Sequence, residues 1–224
     1  MSTDKPVLKT IKLLFPTLII PIIWILINAG MFDNVTASTS KMPTPWPPQL
    51  KKPFPNLDLI DQEGMEFKLS YLKGKVIVVE PIGMNCPACQ AFSGGHTYGP
   101  YQNNAVANGL TDFEKLFETY SGGKLRLPHR DVVFIQLLLY DMRLEAPDKE
   151  DAKNWAKHFH ISKANNHFVA VLPYDARGRA SFDMIPGFYL IDRNFILQSD
   201  STGHHPKHNL YKHLIPMVPK LVRE

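Results

Sequence analysis

Two cysteines separated by two residues follow shortly after an apolar, β-branched segment. Residues 75–79 read Lys-Val-Ile-Val-Val, a composition typical of a strand buried on both faces. In the Cys-Pro-Ala-Cys sequence that follows, Cys86 and Cys89 can reach each other across one helical turn and form a disulfide. Pro87 suits the first turn of a helix, and a thiolate at Cys86 would be stabilised at the amino end. These features predict a redox-active cysteine pair.

Two other interpretations of the pair stay open from the residues alone. The chain has only two cysteines, which excludes a disulfide-rich scaffold and a zinc site made of four thiolates. The pair could still be half of a zinc site completed by histidines. It could also be a structural disulfide, although so short a loop removes little chain entropy. The position directly after a strand favours the redox interpretation.

Strand-like and helix-like segments alternate along the rest of the sequence, which predicts an α/β domain. A β-hairpin is predicted around the turn at residues 62–64. Further strands are predicted at 132–140, 168–172, 187–191 and 195–198, and helices at 110–120, 148–160 and, interrupted by prolines, 210–221.

The amino-terminal segment predicts a membrane anchor. Residues 13–32 are uncharged and mostly apolar, and about 20 such residues span a bilayer as a helix. Lysines within residues 1–12 predict that this end is cytosolic and that the rest of the chain lies on the far side. A buried core helix is the alternative. Small residues at 35–37 resemble a signal-peptidase site, but the apolar run is long for a signal peptide, so we expect an uncleaved anchor.

Residues 33–54 are rich in proline, which predicts an extended linker. The linker would hold a globular domain, residues 55–224, away from the membrane; a recognition motif for a proline-binding domain is the alternative. The formal net charge is +4 and the pI is near 8.9. Such mild basicity argues against a nucleic-acid partner.

Two stretches together resemble one known family. Residues 55–64 and 69–75, with the strand and Cys-Pro-Ala-Cys that follow, resemble the membrane-anchored thioredoxin-like thiol-disulfide oxidoreductases of the TlpA and ResA type. Residues 185–193, Ile-Pro-Gly-Phe-Tyr-Leu-Ile-Asp-Arg, resemble the proline-strand motif of the same family. The resemblance covers about residues 53–215. It implies a thioredoxin-like fold, a central mixed sheet flanked by helices, with an N-terminal β-hairpin and one preceding transmembrane helix.

The resemblance implies catalytic roles for four residues. Cys86 matches the exposed nucleophile and Cys89 the resolving thiol. Pro186 matches a cis-proline next to the disulfide, where the backbone of the preceding residue can pair with a substrate strand. Glu80 lies six positions before Cys86, the offset of a buried acid in thioredoxin that moves a proton to and from the second cysteine. An exposed glutamate at the end of the strand is the alternative for Glu80.

The sequence also departs from the family. Asn85 replaces the usual tryptophan and Leu57 a usual aromatic residue, and Cys86 and Pro186 are 100 positions apart, a longer interval than is usual. Part of the excess is a loop predicted at residues 94–109. Because this loop starts close to Cys89, it could cover the active-site face; a neutral surface insertion is the alternative.

Four histidines follow Gly203, where a thioredoxin-like chain turns into its last helix on the side of the cysteines. They are His204, His205, His208 and His213. A copper or zinc site that uses one of them with both cysteines is conceivable, and solvated surface histidines are the alternative. Copper chaperones of the superfamily place three residues between their cysteines, whereas this chain has two. The spacing therefore argues against a copper site.

The sequence therefore predicts a thiol-disulfide oxidoreductase that exchanges disulfides with exported proteins through Cys86 and Cys89. We expect the domain to be held by the anchor on the periplasmic side of a membrane, with a membrane or periplasmic redox partner. No cofactor is predicted. The alternative function is a copper chaperone or metal-binding module on the same fold.

Overall fold

A mixed β-sheet organises the part of the chain that the computed structural model describes, residues 43–224. Its strand order is β2-β1-β5-β4-β3-β6-β7. The strands are β1 (Asp58–Asp61), β2 (Glu66–Lys68), β3 (Val76–Gly83), β4 (Val132–Tyr140), β5 (His167–Val171), β6 (Tyr189–Ile191) and β7 (Leu197–Asp200). The helices are α1 (Pro87–Phe92), α2 (Gly95–Tyr98), α3 (Phe113–Tyr120), α4 (Lys149–His158), α5 (Arg179–Asp183) and α6 (Ile215–Arg223), the last preceded by a π-helical turn at Leu210–Leu214.

Strand β3 is an interior strand of the sheet and lies between β4 and β6. It is parallel to β4, which is parallel to β5, and antiparallel to β6. Strand β7 continues the sheet beyond β6, and the β1–β2 hairpin is attached antiparallel to β5. The predicted mixed sheet and N-terminal hairpin are therefore confirmed.

Helices cover both faces of the sheet. Val76 and Val78 belong to one apolar cluster and Ile77 and Val79 to another, as the alternation of side chains along a strand requires. The first cluster contains residues of α3 and α6, and the second contains residues of α4. Because β3 faces an apolar layer on each side, all eight of its residues are buried.

Strand β3 continues beyond the predicted end at Val79. It runs through Glu80, Pro81 and Ile82 to Gly83 and pairs with β4 along its whole length. Pairing with β6 ends at Val79, so Pro81 lies where no β6 partner needs its missing N–H. The periodicity of the side chains does not mark this end because the charged residue at position 80 interrupts the apolar run.

Other element boundaries differ from the predicted ones by a few residues. Helix α4 begins after Asp148, whose carboxylate accepts hydrogen bonds from the N–H groups of Glu150 and Asp151 at 2.8 and 3.0 Å. Strand β7 begins two residues later than predicted, because a turn closed by the Phe195 N–H and the Asp192 carbonyl at 2.9 Å precedes it. Pro219 lies inside α6 and does not end it.

The last part of the predicted linker packs against the domain. The N–H groups of Lys51 and Phe54 donate to the carbonyls of Leu197 and Phe195 at 2.8 and 2.9 Å, and Phe54 is buried. Further back, the indole N–H of Trp46 donates to the Ser181 hydroxyl at 2.9 Å. We call residues 43–54 the strap. Its apolar side chains fix it to the domain, so the folded unit includes residues before position 55.

The predicted cytosolic residues 1–12, the anchor at 13–32 and the first part of the linker lie outside the described residues. Within residues 43–224, none of the helices has the length and apolar character that crossing a bilayer requires.

Candidate active site

The two cysteines lie at the carboxyl end of β3, where the chain turns into α1. Cys86 is the N-cap residue of α1, and Pro87 occupies the first helical turn. Beside Cys86 is a cleft of about 520 Å³. Pro186 lines the same cleft, together with Tyr140, Leu144, Phe182, Ile185 and other residues. The fold therefore brings Cys86 and Pro186 to one cleft although they are far apart in sequence.

The thiol of Cys86 is partly accessible and has a lowered pKa. Its sulfur accepts a hydrogen bond from the backbone N–H of Cys89 at 3.4 Å. The Cys89 thiol and the backbone N–H groups of Cys89 and Ala88 lower the pKa of Cys86 to about 7, although partial burial opposes this shift. A thiolate is the nucleophilic form of cysteine. Cys86 is therefore reactive near neutral pH.

The thiol of Cys89 has the opposite environment. Its side chain is completely buried. Burial raises the pKa of Cys89 well above its ordinary value, and the neighbouring Cys86 and Glu80 raise it further. Cys89 needs a base before it can act as a nucleophile, because a buried thiol with a raised pKa is protonated at neutral pH.

Glu80 is completely buried inside β3, which removes the alternative of an exposed glutamate. Burial raises the pKa of Glu80 well above its ordinary value, and a hydrogen bond from Gln136 opposes the rise. The amide Nε2 of Gln136 donates to Glu80 Oε2 at 3.2 Å, whereas Glu80 Oε1 is buried without a hydrogen-bond partner. Glu80 therefore holds its proton to a higher pH than an ordinary glutamate does, and it raises the pKa of Cys89.

Gln136 was not among the predicted site residues. It lies in β4, directly opposite Glu80 in the register of the two strands. The indole N–H of Trp155 donates to Gln136 Oε1 at 2.9 Å, and Gln136 Nε2 also donates to the Ser93 hydroxyl at 2.9 Å. The sequence contains a signal for this residue: it is the single strongly polar side chain in the apolar run of residues 132–140.

Pro186 follows a cis peptide bond. Its carbonyl accepts a hydrogen bond from Gly203 N–H at 2.8 Å. Within residues 43–224, no backbone or side-chain donor bonds to the carbonyl of Ile185, and Ile185 lines the cleft. The residue after Pro186 has to be a glycine, because a Cβ at position 187 would lie 2.3 Å from Thr202 Cα and 2.4 Å from the Ser201 carbonyl oxygen.

The segment at residues 94–109 packs along α1. It contains α2 and a 3₁₀ turn at Tyr101–Asn103. The N–H of Ala107 donates to the Pro87 carbonyl at 2.9 Å, and Ala107 lines the cleft. The N–H of Tyr101, in the same segment, donates a hydrogen bond to the side-chain oxygen Oε1 of Gln90 in α1 at 2.8 Å. The segment thus forms part of the cleft wall and is bonded to the helix that carries both cysteines.

The four histidines do not form one cluster around the cysteines. His204 lines the cleft, whereas His205 lines a separate surface depression. The rings of His208 and His213 stack at a centroid distance of 4.0 Å. Among the residues that the structure describes, no three histidine, cysteine, aspartate or glutamate side chains are grouped so that they could hold a metal ion.

Comparison with known proteins shows the fold. No protein-family model and no curated protein sequence matches the chain. A candidate electron transfer protein from Aquifex aeolicus VF5 superposes with a TM-score of 0.51 at 19% identity, covering 78% of this chain and 99% of that chain. A candidate protein disulfide isomerase from Bacteroides thetaiotaomicron gives 0.51 at 14% identity, covering 79% and 92%.

These similarities and the sheet topology define a thioredoxin-like α/β fold, as predicted. At such low identities they show the fold alone. The catalytic roles of Cys86, Cys89, Glu80 and Pro186 stay predictions, and the structure supplies the geometry in which each role can be judged.

Proposed function

We propose that this protein is a thiol-disulfide oxidoreductase that acts on other proteins, of the TlpA and ResA type. The observation that carries the proposal is the unequal environment of two adjacent thiols. Cys86 borders an open cleft and has a pKa of about 7, whereas Cys89 is completely buried and has a raised pKa. In a dithiol of this kind, one sulfur forms the mixed disulfide with the substrate, and the other attacks that mixed disulfide and releases the substrate.

In the reducing direction, the Cys86 thiolate attacks one sulfur of a substrate disulfide. A bond forms between Cys86 and that sulfur, the substrate disulfide breaks, and the second substrate sulfur leaves as a thiolate. Cys89 then loses its proton to Glu80 and attacks the Cys86 sulfur. This step forms the Cys86–Cys89 disulfide and releases the first substrate sulfur, so the substrate gains two electrons and the protein loses them. A dithiol redox partner restores the reduced pair, and every step is reversible.

The cleft favours protein substrates. Leu144 and Phe182 at its border are 48% and 54% exposed, and within residues 43–224 the carbonyl of Ile185 has no hydrogen-bond partner. An extended segment that carries the substrate cysteine can place apolar neighbours on these side chains while its backbone pairs beside Pro186. Small disulfides use neither contact, so we expect them to react more slowly.

The proposed location is the periplasmic side of a membrane, with exported proteins as substrates and a membrane or periplasmic redox partner. The support is the sequence of residues 1–32, in which lysines precede a long apolar run. A carboxyl-terminal reporter that is active only in the cytosol tests the orientation, and recovery of the chain in the soluble fraction tests the anchor. Activity of the reporter would contradict the orientation, and a soluble chain would contradict the anchor.

Disulfide exchange itself is tested by insulin reduction with dithiothreitol as the electron source. The C86S variant should lose activity, because its nucleophile is absent. The C89S variant should accumulate mixed disulfides between Cys86 and the substrate, because it lacks the thiol that resolves them. Equal activity of C86S and the unmodified protein would refute the proposal. Copper and zinc titration of the reduced protein, run in parallel, tests the alternative of a metal-binding module; tight binding that abolishes exchange would favour that alternative.

A further inference from the structure

We propose that Gln136 is a positioning residue for Glu80: held in one orientation by Trp155, it occupies one carboxylate oxygen and leaves the other to exchange the proton with Cys89. The final step of this inference rests on the proposed function. The orientation of the two side chains does not depend on it.

The contacts determine which end of the Gln136 amide faces Glu80. The indole N–H of Trp155 can only donate a hydrogen bond. The Gln136 atom at 2.9 Å from it is therefore the amide oxygen, so the amide nitrogen points the other way. That nitrogen has two hydrogens and two acceptors, Glu80 Oε2 at 3.2 Å and the Ser93 hydroxyl oxygen at 2.9 Å. Every donor and acceptor of the amide group then has a partner.

This arrangement makes the two oxygens of Glu80 unequal. Oε2 always receives an N–H, so a proton on the carboxyl group is favoured on Oε1. Oε1 is buried and has no hydrogen-bond partner, although a buried polar group without a partner costs free energy. The charge of Cys86 raises the pKa of Glu80, and Glu80 in turn raises the pKa of Cys89. The facing residue of β4 is the neutral Gln136.

The unpaired oxygen is explained if Cys89 uses it. When Cys89 must attack Cys86, the proton moves from the Cys89 sulfur to Oε1, which gives a Cys89 thiolate and a neutral Glu80. In the reverse reaction the Cys89 thiolate takes the proton back from Oε1. Gln136 stabilises the carboxylate form through Oε2 and so opposes the rise in the pKa of Glu80 that burial causes. Glu80 is thereby kept ionised and able to accept the proton from Cys89.

The test is a titration of Glu80 in the full-length chain, labelled with ¹³C at the glutamate carboxyl carbon and followed by NMR. The E80Q variant identifies the signal. The nearly isosteric Q136M variant removes the donor, and a hydrogen bond to a charged group is worth enough to shift a pKa by about one unit. We therefore expect the midpoint to rise by about one pH unit. In W155F the amide can rotate and accept a proton from Glu80, so the midpoint should rise there as well.

A matched control is available at the edge of β1, in the turn that follows it. Gln62 is also buried, and its amide bonds to the backbone of β5 at His167 and Val169. The Q62M variant should lower stability without moving the Glu80 midpoint. A midpoint that stays unchanged in a folded Q136M protein would overturn the positioning role, and so would an equal shift in Q62M.

A kinetic cycle separates this inference from the proposed function. The pH dependence of insulin reduction should shift upward in Q136M, and the Q136M substitution should cause no further shift in an E80Q background. An NMR shift in a protein without exchange activity would refute the proposed function and support the positioning role. Normal exchange with an unshifted Glu80 would support the function and overturn the positioning role.

Discussion

Three positions of sequence separate a thiol that can meet a substrate from one that cannot. Cys86 caps α1 at the border of the cleft, and Cys89 points into the core one turn later. The cause is the helix itself, because residues three apart lie on the same side of a helix but at different depths when its amino end is at the surface. The same turn provides the N–H groups that lower the pKa of Cys86.

Alkylation should distinguish the two thiols. The rate of reaction of the reduced protein with iodoacetamide should rise with a midpoint at about pH 7, the pKa of Cys86. Cys89 should stay unlabelled until the protein is unfolded in guanidinium. Peptide mapping of the labelled protein identifies the site, and C86S serves as the control. Faster labelling of Cys89 in the native protein would reverse the assignment of the nucleophile.

The Glu80→Gln substitution should slow exchange and stabilise the fold. Because burial raises the pKa of Glu80, the folded protein holds more protons than the unfolded one between the ordinary and the raised pKa, and stability falls as pH rises through that window. Glutamine removes this dependence. The gain in melting temperature should therefore be larger at pH 7.5 than at pH 4. The exchange rate of E80Q should fall furthest below that of the unmodified protein near and above neutral pH.

Calorimetry and an exchange-rate profile against pH measure both effects, with circular dichroism as the folding control. If the two profiles superimposed, Glu80 would have no part in catalysis. If E80Q were less stable at every pH, the carboxyl group would contribute to the fold rather than oppose it.

At the scale of the element, the short helix α1 depends on close packing by the segment that follows it. The helix has six residues and is followed by Gly94, whose φ of +110° is rarely adopted by other residues. Gly95 packs so closely that a Cβ there would lie 2.7 Å from the Gln90 carbonyl oxygen and 2.9 Å from a methyl carbon of Val106. The segment at 94–109 is therefore positioned by backbone contacts with the active-site helix.

The Gly95→Ala substitution should destabilise the domain by about 1–3 kcal/mol, the usual cost of inserting a methyl group into a packed site. It should also change the alkylation rate of Cys86, because the displaced segment is bonded to Pro87. Urea denaturation and alkylation measure these changes. A V106A substitution added to G95A should restore only part of the stability, since the Gln90 carbonyl remains in place. Full restoration would mean that the backbone contact is unimportant.

The pattern of side chains predicted most elements but not the polar interior of the sheet. The sequence predicts the strand at 132–140 with its observed ends, because the first half of this apolar run is rich in β-branched and aromatic residues, which favour a strand over a buried helix. In β3 the charge of Glu80 conceals the continuation of the strand. The partnership of Glu80 and Gln136 depends on the register of two strands that are far apart in sequence, and register is not visible in either strand alone.

At the scale of the whole molecule, the strap covers one edge of the sheet. An exposed edge strand is a site for unwanted pairing with another chain. The strap reduces that exposure, because Lys51 and Phe54 donate to residues of or beside β7, and the N–H of Leu197 donates to the Lys52 carbonyl at 3.0 Å. The proline content of this region suggested an independent linker, but Phe54 contacts Tyr189 and Phe195 at ring distances of 5.7 and 6.3 Å.

Shortening the chain to begin at residue 55 should therefore destabilise the domain. The expected loss is about 3 kcal/mol or more, from one buried phenylalanine and the strap hydrogen bonds. Guanidinium denaturation compares this chain with one that begins at residue 43, and light scattering should show more self-association of the shorter chain. An F54A substitution in the full chain should reproduce most of the loss. Equal denaturation midpoints would show that the strap contributes nothing to the fold.

The strap also determines how the domain responds to mechanical force. A pull on the chain from its amino-terminal side loads the contact of Trp46 with Ser181 first. It then loads the bonds of Lys51, Lys52 and Phe54, which join the strap to the sheet. Strands β7 and β6 lie between those bonds and β3, which leads into the active site. A moderate pull would thus extend the chain by detaching the strap, while the two cysteines and Pro186 kept their places. The strap would in this way protect the catalytic site from forces too small to unfold the sheet.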